Sequence, residues 1–308
     1  MSGSGEGIVH QIHVYLELLR PFTLLAPLIV SSSVIIASLV SSQSMDHNLL
    51  FLLGSIISAS FCFALLNGAS NVLNQATDWK EDSLSKPYRP IPQGIVTSQE
   101  AFQFSLLLYV GAILLSTTIH LLFSIFIILI AFFSITYSLK PRMKKILFLN
   151  QIWVALPRGF LAILASWSVF GNPFEPLPLA IGCIAALFLF GGTTTKDILD
   201  AEADRIVGTK TVVNVFGLQR ASLFSLVFMV GAFCLIVPLV FFEVLPTALF
   251  PLSFLSFASI FIGWLMQQKQ KNGTWENTSA WTAMYTTYFL FAFSFAVLII
   301  FSSALPSF

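Results

Sequence analysis

Long stretches without charged residues alternate with short polar segments along the chain. Asp, Glu, Lys and Arg are absent from residues 21–45, 47–77, 101–139, 176–195, 221–242, 244–268 and 277–308. A helix that crosses a membrane needs about 20 consecutive apolar residues. With a turn near His120, and with the stretch 146–174 interrupted only by Arg158, the pattern predicts nine membrane-spanning helices: 21–42, 49–74, 99–118, 121–138, 147–170, 176–196, 217–242, 245–267 and 279–304.

The 15 Lys and Arg residues are distributed unevenly between the predicted spans. Positive side chains are enriched in loops on the cytoplasmic side of a membrane. If the N-terminus is inside, every Lys and Arg except Arg158 lies within or beside the inner segments 1–20, 75–98, 139–146, 197–216 and 268–278. We therefore predict an N-terminus inside, a C-terminus outside, and the long inner loops on the cytoplasmic side.

Composition agrees with a membrane protein, because 56% of the residues are hydrophobic and only 9% are charged, against about 25% charged in soluble domains. We expect one all-α polytopic membrane domain over residues 1–308. Residues 1–9 are predicted to be disordered and lack the apolar core of a signal peptide. The net charge of +1 identifies no partner, and we expect no nucleic acid. The three cysteines lie inside spans without metal-ligand spacing, so neither a disulfide framework nor a zinc site is indicated.

The first polar loop, residues 75–98, follows the second span and contains most of the segment NQATDWKEDSLSKPYRPIPQG (74–94). If the helix continues into it, a stripe of polar residues at steps of four, three, four and four shares one face: Asn67, Asn71, Asn74, Asp78 and Asp82. Prolines should end this helix and a glycine should permit a turn: Pro87, Pro90, Pro92 and Gly94.

The second polar loop, residues 197–216, repeats the pattern after the sixth span. Asp197, Asp200 and Asp204 share one helical face, Glu202 points elsewhere, and Gly208 marks the helix end. Like charges on one face repel, and Mg²⁺ would neutralise them, since it binds carboxylates, water and phosphate oxygens. Two such faces across one cavity could hold two ions around a diphosphate. The alternative is pairing with basic side chains alone: Lys80, Lys86, Arg89, Lys196, Arg205 and Lys210.

Three further features could take part in a site. The basic cluster Lys140, Arg142, Lys144 and Lys145 either marks the inner side or captures a diphosphate. Tyr137 either anchors the fourth span at the interface or acts on a leaving oxygen or a carbocation. Arg158, charged inside a span, should face the cavity and pair with an acid or a substrate anion, and its Pro and Gly neighbours should loosen the helix.

Both loops resemble the signatures of the UbiA superfamily of intramembrane prenyltransferases. The first matches N-x-x-x-D-x-x-x-D followed by K-P-x-R-P-[IL]-P-x-G, and the second matches K-D-x-x-D-x-x-x-D-x-x-x-G-x-x-T. Gln75 departs from the pattern, because many members have Asp there, so a ligand role at that position is in doubt. The resemblance implies nine helices around a central cavity in which the Asp motifs bind Mg²⁺ and a polyprenyl diphosphate.

The resemblance also implies an enzyme that transfers the prenyl chain to an acceptor. The expected catalytic residues are Asp78, Asp82, Asp197, Asp200, Asp204 and Tyr137. The same five aspartates and Asn74 would bind two Mg²⁺ ions. Substrate would be bound by Asn74, Lys86, Arg89, Lys140, Lys145, Arg158 and Lys196.

The acceptor is the open question. We expect a lipophilic or aromatic molecule of the quinone-precursor type, such as 4-hydroxybenzoate. A non-aromatic acceptor such as geranylgeranylglyceryl phosphate, used in archaeal ether lipid synthesis, is the alternative. A transporter is a more distant one, because transporters place charges near the bilayer midplane whereas these acids cluster at one interface. A phosphatidyl-alcohol transferase would need Asp-Gly and Ala-Arg spacing that the chain lacks.

Overall fold

The computed structural model describes residues 3–44, 48–268 and 278–304, and every regular element within these ranges is helical. The α-helices are α1 Gly3–Leu19, α2 Pro21–Ser41, α3 Leu49–Thr77, α4 Trp79–Ser85, α5 Ser98–Thr117, α6 Leu121–Ser138, α7 Leu149–Ala155, α8 Ala162–Trp167, α9 Pro176–Gly192, α10 Thr194–Ile206, α11 Val212–Phe216, α12 Leu218–Cys234, α13 Ile236–Phe241, α14 Leu255–Gln267 and α15 Ser279–Ala304. Short 3₁₀ segments cover Met143–Lys145 and Thr247–Phe254.

Eight helices in the described ranges are long and apolar enough to cross a membrane, and they coincide with eight of the predicted spans. The chain is therefore an all-helical, multi-pass membrane protein. The count of nine is not confirmed, because the segment predicted as the span 147–170 consists of α7, a π-helical turn at Leu156–Leu161, and α8. The orientation of the termini stays a prediction.

The π-helical turn is explained by the sequence Pro157-Arg158-Gly159. Proline has no N–H with which to continue the helical ladder, and π-turns accommodate such interruptions within helices. Gly159 lies directly on α9, where a Cβ would come within 2.6 Å of the backbone of Ala186. The broken helix is therefore held firmly against its neighbour.

Two large apolar clusters form most of the core, and two smaller ones lie beside them. One joins α2 to α9, α12, α14 and α15, with Phe188, Phe233 and Phe291 almost completely buried. The other joins α2 to α3, α5, α6 and α8. Large apolar side chains such as Leu50 and Phe241 are 77% and 79% exposed on the outside, as expected for a surface that faces lipid rather than water.

The first helix begins at Gly3, and its later part is anchored by the buried Val14 and Leu18; the disorder expected for residues 1–9 stays a prediction. One prediction about the helices needs correction. The polar stripe does not continue on one helix, because α3 ends at Thr77 and Asp78 has non-helical angles (φ −108°, ψ 16°). Thr77 Oγ1 donates to the Asn74 carbonyl (3.0 Å), a bond that competes with helix continuation.

Candidate active site

A single cavity of about 300 Å³ brings the two acidic segments together. Asp78 reaches it from the α3–α4 junction and Asp82 from α4, and three acids reach it from α10: Asp197, Asp200 and Asp204. They are more than 100 residues apart along the chain, but α4 and α10 are in contact. All five predicted aspartates thus line one space, as do Asn74, Tyr137 and Arg158.

The first acidic segment is held by the connection between α6 and α7. Asp78 accepts a hydrogen bond from Arg142 Nη2 at 2.5 Å and pairs with Lys144. Glu81 lies 3.3 Å from Lys145 Nζ. Burial lowers the pKa of Lys144, an effect that the neighbouring Asp78 carboxylate opposes. Arg142 and Lys144 therefore belong to the site, although we had assigned a substrate-binding role in this cluster only to Lys140 and Lys145.

A buried ion pair ties the proline-rich loop after α4 to the first acidic segment. Arg89 Nη1 donates to Asp82 Oδ2 at 2.7 Å, and the two side chains are 6% and 7% exposed. Burial raises the pKa of Asp82, while Arg89 and then Lys86 act in the opposite direction. Lys86 itself pairs with Asp200, so the loop after α4 connects the two acidic segments directly.

The second acidic segment contains a different set of partners. Asp197 accepts from Asn150 Nδ2 at 3.3 Å. Lys196 Nζ donates to the Tyr137 hydroxyl at 2.5 Å and lies 4.0 Å from Asp197. For the Asp204 side chain, no hydrogen bond or ion pair is found within the described ranges. This carboxylate faces the cavity, and among the described side chains no cation contacts it.

Some predicted residues lie elsewhere. Lys140 is exposed and does not line the cavity, so the prediction that it binds substrate is not supported by its position; the cluster turns at Arg142 (φ 57°) and directs its later residues inward. Gln75 is buried and donates to the Leu18 carbonyl at 2.7 Å. Its place in the motif therefore serves to fix α1 rather than to bind a ligand.

The first two residues of the polar stripe, Asn67 and Asn71, stabilise the fold. Asn67 Nδ2 donates to the Thr23 carbonyl at 3.1 Å, and Asn71 Nδ2 donates to the Leu19 carbonyl at 2.9 Å. These bonds satisfy backbone groups where α1 ends and α2 begins, which water cannot do within a membrane.

Arg158 lies deeper along the broken helix. Its Nη1 donates to the Tyr285 hydroxyl at 3.3 Å, and its backbone carbonyl accepts from the Tyr288 hydroxyl at 2.9 Å. Both tyrosines belong to α15. The predicted acidic partner is not found, because no carboxylate pairs with Arg158 in the parts of the chain that the structure describes.

The donor set suits a hard cation. Five carboxylates and the Asn74 amide offer oxygen ligands to one cavity, which is the chemistry that Mg²⁺ prefers. No three acidic, His or Cys side chains of the described residues lie together as a preformed metal cage. Mg²⁺ commonly takes only one or two carboxylates and completes its shell with water and substrate phosphates, so the residues fit an ion that arrives with a diphosphate.

A helical membrane bundle with two facing acidic segments and a rim of cations defines the class of enzymes that handle diphosphates inside a membrane. Comparison with known proteins identifies the family. Residues 25–285 match the UbiA prenyltransferase family, and the chain belongs to it. The protein is therefore a prenyltransferase.

Archaeal proteins are among those to which the chain is similar. Digeranylgeranylglyceryl phosphate synthase of Methanosphaera stadtmanae is 26% identical over 231 residues, which cover 74% of this chain and 78% of that protein. The structure of a UbiA homologue from Archaeoglobus fulgidus bound to DMAPP and Mg²⁺ superimposes with a TM-score of 0.70 at 18% identity, covering 95% of this chain and 99% of the other. A structure described for digeranylgeranylglyceryl phosphate synthase has a TM-score of 0.65 at 20% identity, covering 96% and 99%.

These likenesses correct our expectation about the acceptor. We expected an acceptor of the quinone-precursor type, such as 4-hydroxybenzoate, and this was wrong. The relative from Methanosphaera stadtmanae and one structural neighbour carry the name of an enzyme of archaeal ether lipid synthesis instead. The reason for the error is that the expectation was drawn from two acidic loop motifs, whose carboxylates indicate a site for cations and phosphates and do not identify an acceptor.

Proposed function

We propose that the protein transfers a geranylgeranyl chain from its diphosphate to a hydroxyl of a glycerol phosphate ether lipid such as geranylgeranylglyceryl phosphate. The observation that carries the proposal is the meeting of both acidic segments with Lys144 and Lys145 in one cavity between membrane-spanning helices. The names of the similar proteins support the choice of acceptor.

The reaction exchanges one carbon–oxygen bond for another. The bond between C1 of the prenyl chain and the diphosphate breaks, and its electron pair leaves with the diphosphate. The acceptor oxygen bonds to C1 and forms an ether, and its proton is released with the diphosphate. Water must be excluded, because it would compete for C1; the apolar surroundings of the cavity serve this purpose.

Each acidic segment would hold one Mg²⁺ ion, through Asn74, Asp78 and Asp82 on one side and through Asp197, Asp200 and Asp204 on the other. When bound, Mg²⁺ neutralises the charge that develops on the leaving diphosphate. This requires Asp78, Asp82 and Asp200 to release their present cationic partners.

The cations released in this way would bind the diphosphate. Lys86, Arg89, Lys144 and Lys145 line the same cavity and would donate to diphosphate oxygens in place of the carboxylates. Arg142 pairs with Asp78 beside them. Tyr137, positioned by Lys196, would face the leaving oxygen or the developing allylic cation. We place these loops on the cytoplasmic side, where Lys and Arg accumulate.

Product analysis of the purified full-length protein tests the proposal. Geranylgeranyl diphosphate and Mg²⁺ are supplied with geranylgeranylglyceryl phosphate, and a parallel reaction contains 4-hydroxybenzoate. We expect an ether product from the glycerol lipid alone, its loss with EDTA, and its return with added Mg²⁺. Prenylation of 4-hydroxybenzoate without ether formation would refute the acceptor, and turnover that persists in EDTA would refute the metal role.

A further inference from the structure

Arg158 is a cation in a cavity between membrane-spanning helices, and the mechanism above supplies no partner for it. It lies within the π-turn, lines the cavity, and donates a hydrogen bond to the neutral Tyr285 hydroxyl, while no carboxylate of the described residues pairs with it. Its backbone cannot move away easily, because Gly159 touches α9 and the Tyr288 hydroxyl holds the Arg158 carbonyl. The guanidinium is thus kept in the cavity by packing on two sides.

An isolated charge at this depth is energetically costly unless an anion accompanies it. A guanidinium offers a planar set of donors that match the oxygens of a phosphate. The Tyr285 hydroxyl beside it, with one donor of its own, can contact the same group. The built arrangement therefore fits a phosphate oxyanion rather than an apolar chain.

We infer that Arg158, with Tyr285, binds the phosphate monoester of the acceptor lipid. This inference rests on the proposed function and adds the position of the acceptor's head group. Arg158 would then be the residue that selects a phosphorylated acceptor over an uncharged alcohol.

Arg158 lies further along the broken helix than the residue that holds Asp197. Asn150, which contacts Asp197, lies eight residues before Arg158 on the same helical segment, which corresponds to about 12 Å along a helix. The donor end already has its own cations in Lys86, Lys144 and Lys145. In a glycerol phosphate lipid the reacting hydroxyl and the phosphate are a few bonds apart. An acceptor whose phosphate is at Arg158 therefore extends its hydroxyl toward the donor.

The test compares Arg158→Gln with wild type and with Arg220→Gln, an exposed arginine that does not line the cavity. We expect Arg158→Gln to raise the KM for geranylgeranylglyceryl phosphate at least ten-fold and to leave the KM for geranylgeranyl diphosphate within two-fold, since charge-assisted hydrogen bonds to a single phosphate are lost. Arg158→Gln should also abolish the preference for this acceptor over geranylgeranylglycerol. Arg158→Lys should recover part of it, and Arg220→Gln should behave as wild type.

A binding measurement keeps the two proposals separable. Thermal stabilisation by a saturated alkylglycerol phosphate, compared with the alkylglycerol, needs no turnover. We expect only the phosphate to stabilise wild type, and Arg158→Gln to lose this effect. If wild type forms no ether but still shows the phosphate effect through Arg158, the proposed function fails and the site stands.

Two results would overturn the inference. One is equal stabilisation of wild type and Arg158→Gln by the alkylglycerol phosphate. The other is a raised KM for the donor with an unchanged KM for the acceptor, which would make Arg158 part of the diphosphate site. If Arg158→Gln does not fold, as judged by size-exclusion chromatography, Arg158→Lys decides by the same two KM values.

Discussion

Replacement of Gly159 by alanine tests how closely the broken helix packs on α9. The new Cβ would lie 2.6 Å from both Cα and N of Ala186 and 2.9 Å from the carbonyl carbon of Ala185, all of them backbone atoms. Restoring ordinary contact requires the helices to separate by about 1 Å. Overpacking of this kind costs about 1–3 kcal/mol, against a gain of about 0.5–1 kcal/mol from replacing glycine in a helix.

We therefore expect Gly159→Ala to lower the melting temperature of the purified protein by a few degrees, since about 1 kcal/mol corresponds to ~2–4 °C. Prenyl transfer should fall more steeply, because a displacement of about 1 Å in a positioned group can cost ~100-fold in rate and Arg158 is the adjacent residue. The matched control is Gly111→Ala on α5, where a Cβ meets nothing within 4 Å. Equal stability and activity of the two variants would refute the packing argument.

Three further predictions concern the ionised groups of the cavity. Asp204→Asn should lower kcat roughly 100-fold without lowering the melting temperature, since no ion pair is lost within the described residues; wild-type kcat would remove Asp204 from the proposed metal ligands. Arg89→Met should cost about 3–5 kcal/mol in stability by leaving Asp82 buried and unpaired, and addition of Asp82→Asn should recover most of this in a double-mutant cycle, whereas additive losses would contradict it. Because burial lowers the pKa of Lys144, its charge is lost earlier as pH rises, and the KM for the donor should increase on the alkaline side in wild type. The increase should be smaller in Lys144→Arg, because the arginine keeps its charge. Superimposable pH profiles of the two enzymes would exclude a role of Lys144 in donor binding.

Much of the fold could be predicted from the sequence because the signals are local. Eight spans followed from charge-free stretches long enough to cross a membrane, and their bounds agree with the helices within a few residues, except that the helix beginning at Pro176 continues to Ile206. The helix α4 within the first motif ends at Ser85, before Pro87. Gly94 and Gly208 do adopt positive φ angles of 73° and 76°, which favour glycine. These properties depend on neighbouring residues alone.

The site was predictable in membership but not in its pairings. Repeated spacing of acids in the two loops identified the residues that meet in the cavity. The spacing could not show that α3 breaks at Asp78, because this depends on the back-bond of Thr77 and on contacts with a different loop. Nor could it show that Gln75 faces α1, since helical spacing alone does not identify which neighbour a face meets.

The sequence by itself determined the membrane class, the positions of the polar loops and the acidic residues that meet in the cavity, because hydrophobic length and motif spacing are properties of the chain. Only the tertiary structure decided which cation holds which acid and left Arg158 without a carboxylate partner among the described residues. Asp78 and Arg142 are 64 positions apart, and Arg158 and Tyr285 are 127 apart. Contacts at such separations arise from the packing of whole helices, which no local pattern encodes.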